Sequence, residues 1–326
     1  MTLVTDASSA VDAALDAADE ASAAPVTTIY EPALPVDLRA TLAPIGRGPY
    51  DPTTQWSGAG VWRTFHTPSG PATLHLEQSR VGAPVRARAW GPGAEWAIDG
   101  VPQLLGRDDD WSQLDVAAHP FLVETLRRNP GLRLPTTRRV FEALCPAILE
   151  QKVTSLEAYR SWAALVTRLG HRAPGAAIEP RMPARLRLAP TAAEWRFVPS
   201  WEWHRAGVDP TRSRTLVEAA ARAAAIDRVT RADALTSLRG VGVWTAAEAM
   251  QRSHGDPDQV SVGDYHVPHF VGHALAGDRN CDDDGMLELL APWVGQRQRV
   301  VRLILASGRL PERRGPRATI TDHRWR

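Results

Sequence analysis

Cysteine is almost missing from this chain: Cys145 and Cys281 are the only two, and they lie far apart. Two thiols cannot make a four-cysteine zinc or iron–sulfur site, and they offer no disulfide framework. A reducing cytoplasm is the expected setting. Lysine is scarcer still. Lys152 is the single lysine among 38 basic residues, and the rest are arginine. No run of roughly 18 apolar residues occurs, so no transmembrane helix is expected. The N-terminus lacks a basic segment followed by an apolar core, so no secretory signal is expected either. A large net charge is absent too. At +1 overall, the chain as a whole does not argue for a nucleic-acid partner, and local patches must carry any such case.

What is present is a composition that folds. Hydrophobic residues are 44% of 326, enough for one large domain or two to three small ones. Residues 1–28 are rich in Ala, Asp, Ser and Thr and read as a disordered acidic tail. Residues 29–119 read as an α+β domain. Val61–Phe65, Ala72–Leu76 and Val85–Trp90 alternate apolar and polar residues with Gly and Pro between them, the pattern of an antiparallel sheet with hairpins. A helix is expected near Gln103. Residues 120–310 read as helical. Three- and four-residue apolar spacing predicts helices over Thr137–Leu144, Ala147–Leu169, Arg212–Ala225, Ala232–Leu238, Val243–His254, Pro268–Leu275, Met286–Trp293 and Gln298–Ser307. Residues 170–200 are Pro- and Arg-rich and read as a long connection, and 311–326 as a basic tail.

Two segments carry candidate chemistry. In Leu238-Arg239-Gly240-Val241-Gly242-Val243-Trp244-Thr245-Ala246, two glycines allow a tight turn between helices. The second helix then begins with free N–H groups, which favour an anion such as a DNA phosphate. Gly240, Gly242, Val243 and Thr245 are the candidate contacts. A plain helix–turn–helix corner would use glycines in the same way. Farther on, Val260-Ser261-Val262-Gly263-Asp264-Tyr265-His266-Val267 places Asp264 just before a helix with Pro268 in its first turn. Asp264 reads as an N-cap, as a catalytic carboxylate, or as both. An N-cap aspartate has a stabilised charge and a fixed position, which suits a group facing a developing cation.

In this order and spacing, Leu-x-Gly-Val-Gly-x-x-Thr-Ala followed by Val-x-Val-x-Asp-x-His-Val resembles the helix–hairpin–helix DNA glycosylase superfamily. Ala147–Ser155 is similar to its segment before the intercalating loop, and Pro292-Trp293 with Arg297 and Arg299 to its C-terminal helix. The N-terminal part resembles the TATA-binding-protein-like domain of the 3-methyladenine DNA glycosylase II branch. The likeness runs from about residue 30 to 310. It implies an α+β fold: a TATA-binding-protein-like antiparallel sheet domain, then an all-α glycosylase domain bearing the hairpin.

The resemblance also implies residue roles. Asp264 matches the catalytic aspartate of N-glycosidic bond hydrolysis, which builds positive charge on the sugar. Bifunctional members carry a Schiff-base lysine where this chain has Trp244, so no strand-cleaving lyase step is expected. Trp244 and Tyr265 match pocket aromatics; Trp244 reads equally as a core residue, and for Tyr265 the pocket reading is preferred to the core one. Glu248 and Arg302 stand where aromatic residues are common, which puts the substrate range in doubt. Gln151 and Lys152 match the loop that fills the gap left by a flipped base. Arg297 and Arg299 are candidate phosphate contacts, or a solvated basic face; Arg313, Arg314 and Arg317 in the tail carry no preference. His266, His269 and His273 with Cys281 suggest zinc only weakly, so no metal is expected; a monovalent cation at the hairpin carbonyls is the one cofactor the likeness leaves open. The expected partner is double-stranded DNA containing damaged bases, bound by a monomer, with no membrane and a cytoplasmic, nucleoid-associated location. The expected function is excision of alkylated purines. The alternatives are excision of oxidised or deaminated bases, and a non-catalytic protein that senses damage.

Overall fold

The computed structural model describes residues 24–312. Residues 313–326 of the basic tail and 1–23 of the acidic tail lie outside that range. Five strands, β1 (Val26–Tyr30), β2 (Thr54–Ser57), β3 (Gly60–Thr67), β4 (Gly70–Gln78) and β5 (Val85–Trp90), form an antiparallel sheet in the order β1-β5-β4-β3-β2. The three stretches that alternate in sequence fall in β3, β4 and β5. β1 begins at Val26, inside the stretch that composition reads as tail. Its backbone pairs with β5 from Val26↔Ala89 to Tyr30↔Val85, and that ladder overrides the polar composition.

Alternation gives the sheet two faces. Val61, Phe65, Leu74, Leu76, Val85 and Ala87 share one apolar core with helices α1 (Leu38–Leu42), α2 (Ala94–Asp99) and α3 (Val101–Leu104). Trp62 and Trp90 lie on the other face and pack with Ala173 and Leu186. The segment read as a long connection is therefore a cover for the sheet's second face. It carries the short pair β6 (His171–Arg172) and β7 (Arg187–Leu188).

The helices make two further cores. One is built by α5 (Val140–Leu149), α6 (Ser155–Leu169), α7 (Ala192–Trp195), α8 (Ser200–Arg205), α9 (Pro210–Ala220), α10 (Ala223–Ile226), α11 (Ala232–Leu235) and α12 (Val243–Ser253). The other is built by α4 (Pro120–Arg128), α13 (Val267–Ala276), α14 (Asp283–Leu290) and α15 (Arg297–Ser307), with Trp111 and Trp293. The chain passes from the first to the second between residues 254 and 266. Asp264 sits at that seam.

The long helix expected over Ala147–Leu169 is two helices. α5 stops at Leu149, and Thr154 starts α6 with a capping box: its hydroxyl accepts from the Glu157 N–H while Glu157 caps the Thr154 N–H. The loop 150–154 that results projects beside the hairpin. No described helix is long and apolar enough to cross a membrane.

Candidate active site

The hairpin between α11 and α12 is held by backbone geometry. Gly240 has φ +84, and a Cβ at this position would collide with the Thr215 side chain, so glycine is required twice over. Val241 N–H donates to Leu238 O at 3.0 Å and closes the turn, while the Val241 side chain is buried in the first helical core. α12 begins at Val243 with Gly242 as its N-cap and no side-chain cap. Its first-turn N–H groups therefore face outward without a protein acceptor supplied by a cap, the condition for holding an anion. Val243 is exposed and Thr245 is buried. Gln151, from the loop after α5, donates its amide to Gly240 O at 2.9 Å and to Thr245 Oγ at 2.8 Å. The two candidate DNA-facing segments are thus cross-linked.

Asp264 follows Gly263, whose φ is +89. This turn aims the carboxylate back at the start of α13. Its Oδ1 accepts the N–H groups of His266 at 2.7 Å and Val267 at 3.0 Å. Its Oδ2 accepts the indole N–H of Trp244 at 3.0 Å. The N-cap position of α13 is His266, two residues later than the sequence reading placed it; the Asp264 carboxylate instead accepts the N–H groups at the cap and at the first helical residue, and it is fixed against the first turn of the hairpin's second helix. Three donors leave a half-buried carboxylate with a defined orientation and acceptor capacity to spare.

Behind Trp244 lies a cluster of buried charge. Glu248, one turn on, accepts from the Ser261 hydroxyl and pairs with Arg252 at 2.8 Å. Arg252 also donates to Pro44 O at 2.8 Å, and Arg47 pairs with Glu150 at 3.0 Å. Burial raises the Glu150 carboxyl, with Glu248 and Asp264 adding to the rise and Arg47 and Arg252 opposing it. For Arg252 burial pulls the other way, and Glu248 and Glu150 outweigh it, so its guanidinium is held more tightly protonated. Arg302 reaches Ala40 O at 2.7 Å; burial, then Arg252, lowers it to about 10. Glu248 and Arg302 therefore both stand in the polar cluster that joins the α1 segment to α12. Arg47, Glu150, Arg252 and Ser261 were not among the sequence candidates. Glu248 and Arg252 are an i,i+4 pair and were legible as such; Arg47 comes from another domain and was not.

The remaining candidates scatter. Tyr265 is 79% exposed, with its ring edge-on to His266 and His269. Arg297 holds Asp258 through two N–H groups at 2.8 and 2.6 Å. Arg299 is buried and donates to buried Asp109 at 2.9 and 2.6 Å and to Gln296 Oε1 at 3.0 Å, so its charge is spent on bracing α15. Lys152 is exposed with φ +55. Among the described residues no group of three His, Cys, Asp or Glu side chains is placed to hold a metal. A cavity of about 430 Å³ opens between β3, α5 and α7, lined by Arg63, Phe141, Glu142, Trp162 and Trp195 among others. Neither Asp264 nor Trp244 lines it, so the chemistry is not assigned there.

No family model matches the chain, and no curated protein matches it. Solved structures do. A 3-methyladenine DNA glycosylase from Archaeoglobus fulgidus superposes with TM-score 0.63 at 16% identity, covering 86% of this chain and 98% of that one. MBOgg1 in complex with a low-affinity DNA ligand gives 0.64 at 13%, covering 87% and 98%. An 8-oxoguanine glycosylase/lyase from Clostridium acetobutylicum, in complex with double-stranded DNA, gives 0.62 at 12%, covering 86% and 97%. With its five-stranded antiparallel sheet, its helical region and its glycine hairpin, the chain has the fold of the helix–hairpin–helix DNA glycosylases.

Proposed function

We propose that this protein is a DNA glycosylase of base-excision repair that removes a damaged base from duplex DNA by hydrolysis and leaves an abasic site. The observation that carries this reading is the Trp244–Asp264 hydrogen bond at 3.0 Å. It fixes a carboxylate beside a hairpin whose helix N-terminus is free to take a phosphate.

The chemistry follows from that arrangement. The hairpin N–H groups hold the strand at a phosphate near the target. The base leaves the stack at a cost of a few kcal/mol, least for a damaged base that pairs poorly. As the glycosidic bond breaks, the base departs with the bonding electrons and the sugar acquires positive charge. The Asp264 carboxylate, already oriented, stabilises that charge and accepts a proton from the attacking water. Because the orienting groups are backbone and indole N–H donors, the site needs no reorganisation when the charge develops.

No lyase step belongs to this reading. Trp244 occupies the place of the Schiff-base lysine, and its N–H is committed to Asp264. The single lysine, Lys152, lies on a separate loop. Borohydride added during turnover should trap no protein–DNA adduct; a trapped species carried by Lys152 or the N-terminal amine would overturn this.

Alkylated purines of the 3-methyladenine or 7-methylguanine type are the proposed substrates. Their cationic rings suit the face of Trp244. One observation favours a second reading, an oxidised or deaminated base. The position behind Trp244 holds the Glu248–Arg252 pair instead of an aromatic ring, so hydrogen bonding has more to offer there than stacking. A panel of lesion-bearing duplexes separates the two by which base is released. A protein that only senses damage would bind the panel and release none.

A further inference from the structure

The cavity between β3, α5 and α7 lies outside the site described above, and the glycosylase reading makes no use of it. At about 430 Å³ it falls within the range of small-molecule pockets. Both halves of the molecule build it. Arg47 and Phe65 come from the sheet part, Phe141 and Glu142 from α5, Trp162 from α6 and Trp195 from α7.

The charges decide what can enter. Four guanidiniums line the cavity, and each has its own carboxylate: Arg47 with Glu150 at 3.0 Å, Arg63 with Glu142 at 2.9 Å, Arg139 with Asp227 at 2.8 Å and Arg252 with Glu248 at 2.8 Å. The wall is therefore balanced. A phosphate would compete with four carboxylates already in place, and a cation would meet four guanidiniums. A hydrocarbon would leave the charged wall without polar neighbours. An uncharged polar molecule meets none of these costs.

The groups left over say what such a molecule must offer. Arg63 Nε and Arg139 Nε are buried donors without a hydrogen-bond partner among the described residues, and Glu142 Oε2 is a buried acceptor without one. The Trp195 indole N–H, on a residue 1% exposed, also meets no acceptor among the described residues. His66 gives its Nε2–H to Ala189 O at 2.8 Å. Burial lowers its pKa, so the ring is neutral at pH 7 and Nδ1 is left as an acceptor. Pro146 removes the N–H that would have bonded the Glu142 carbonyl within α5. Around these unspent donors and acceptors stand the rings of Phe65, Phe141, Trp162 and Trp195. The two indoles stack with centroids 6.4 Å apart and 24° between their planes. A flat heteroaromatic ring system with donors and acceptors of its own matches this wall in shape, charge and hydrogen bonding.

We infer that the cavity is a second ligand site, distinct from the Asp264 site, and that it binds a free purine base. The choice of a purine among flat heterocycles rests on the glycosylase reading, because a free base is what that reaction releases. The case for an uncharged heteroaromatic rests on the wall alone. Arg47 and Arg252 also belong to the polar cluster behind Trp244, so a bound base lies against the charges that brace α12.

The test is a calorimetric titration of the full chain with adenine, hypoxanthine and 7-methylguanine, set against adenosine monophosphate and inorganic phosphate. One purine per chain is expected to bind with a Kd of roughly 0.1 mM or tighter, reasonable for a ligand of about ten heavy atoms. The two anions should bind at least about 10-fold more weakly, because the guanidiniums are already paired. Purine binding should persist when a saturating duplex with a tetrahydrofuran abasic analogue occupies the hairpin and the Asp264 site, and in Asp264→Asn. Ala143→Leu and Ala192→Leu fill the cavity from two different walls. Each should weaken purine binding by about 10-fold or more while duplex affinity stays at the wild-type value. Melting curves show which of the two is folded, and either one suffices. Four results would overturn the inference: no heat with any purine up to its solubility limit, binding abolished by the duplex, phosphate bound as tightly as purine, or purine affinity unchanged in a folded leucine variant. Base release from lesion duplexes is scored separately. Its absence strikes the glycosylase reading, while purine binding that survives the duplex still establishes the second site.

Discussion

Trp244 does something that a pocket aromatic need not do. Its indole N–H holds Oδ2 of Asp264, while two backbone N–H groups hold Oδ1. A hydrogen bond to a charged group is worth about 1.5–3 kcal/mol, so Trp244→Phe should lower kcat by about 10- to 100-fold. KM should change little if the ring's stacking survives in Phe. Single-turnover and steady-state rates on one lesion duplex check this; an unchanged kcat with a raised KM would make Trp244 a binding residue only. Asp264 was legible in sequence because its neighbours form a pattern with the upstream hairpin. Its partner was not. The bond to Trp244 requires the turn at Gly263, and nothing in one dimension says which face of α12 that turn will meet.

The hairpin and the loop 150–154 act as one element. Gly240→Ala would force an L-residue to φ +84 and drive its methyl group into Thr215. It should destabilise the fold by about 1–3 kcal/mol and weaken binding to undamaged duplex as well. Thermal unfolding together with anisotropy reads both effects; a variant with normal stability and normal affinity would show that the turn tolerates a side chain. Sequence periodicity ran straight through this region and joined α5 to α6. The reason is physical: Ala147–Leu149 and the apolar positions of α6 share a 3.6-residue period, while the break is made by side-chain capping at Thr154. The Thr-x-x-Glu signature that causes it was there to be read. Pro146 misleads in the other direction. It sits within α5, where every residue from Ala143 to Leu149 is buried, and packing holds the helix through the missing N–H.

Across the whole molecule, the α+β part and the helices are joined by charge as much as by apolar contact. Asp109 receives Arg299 twice, along with the Leu134 N–H and the Trp111 indole. Both members of the ion pair are buried. Removing one partner strands the other, so Asp109→Ala should cost about 3–5 kcal/mol in chemical denaturation. A loss under 1 kcal/mol would mean that water reaches Arg299. Such pairs, separated by well over a hundred residues, are invisible to local pattern reading. The sheet's outward alternation was legible, but the partner of its second face was not.

Stability should also depend on pH through the sheet. His75 stacks on Trp62 at 3.9 Å, and burial lowers its pKa from 6.5 to about 4; Arg88 adds to this and Glu77 opposes it. The unfolded chain binds this proton near 6.5 and the folded one near 4. Folding stability therefore falls as pH drops from about 6.5 to about 4, and this contribution is fully lost below. His66, lowered by burial, acts in the same direction. Melting temperature followed across that window should decline for wild type and decline less for His75→Phe. Parallel curves would remove His75 from the account.

The central claim is that Asp264, oriented by N–H donors, carries out hydrolytic base excision. Its most direct test is release of free base from a panel of purine-lesion duplexes by wild type and Asp264→Asn, with strand scission scored in the same reactions. Wild type should free a base from at least one lesion and leave intact strands with abasic sites. Asp264→Asn should bind the same duplex and release base about 100- to 1000-fold more slowly. Release by the Asn variant at the wild-type rate, or no release by wild type from any lesion, would contradict it.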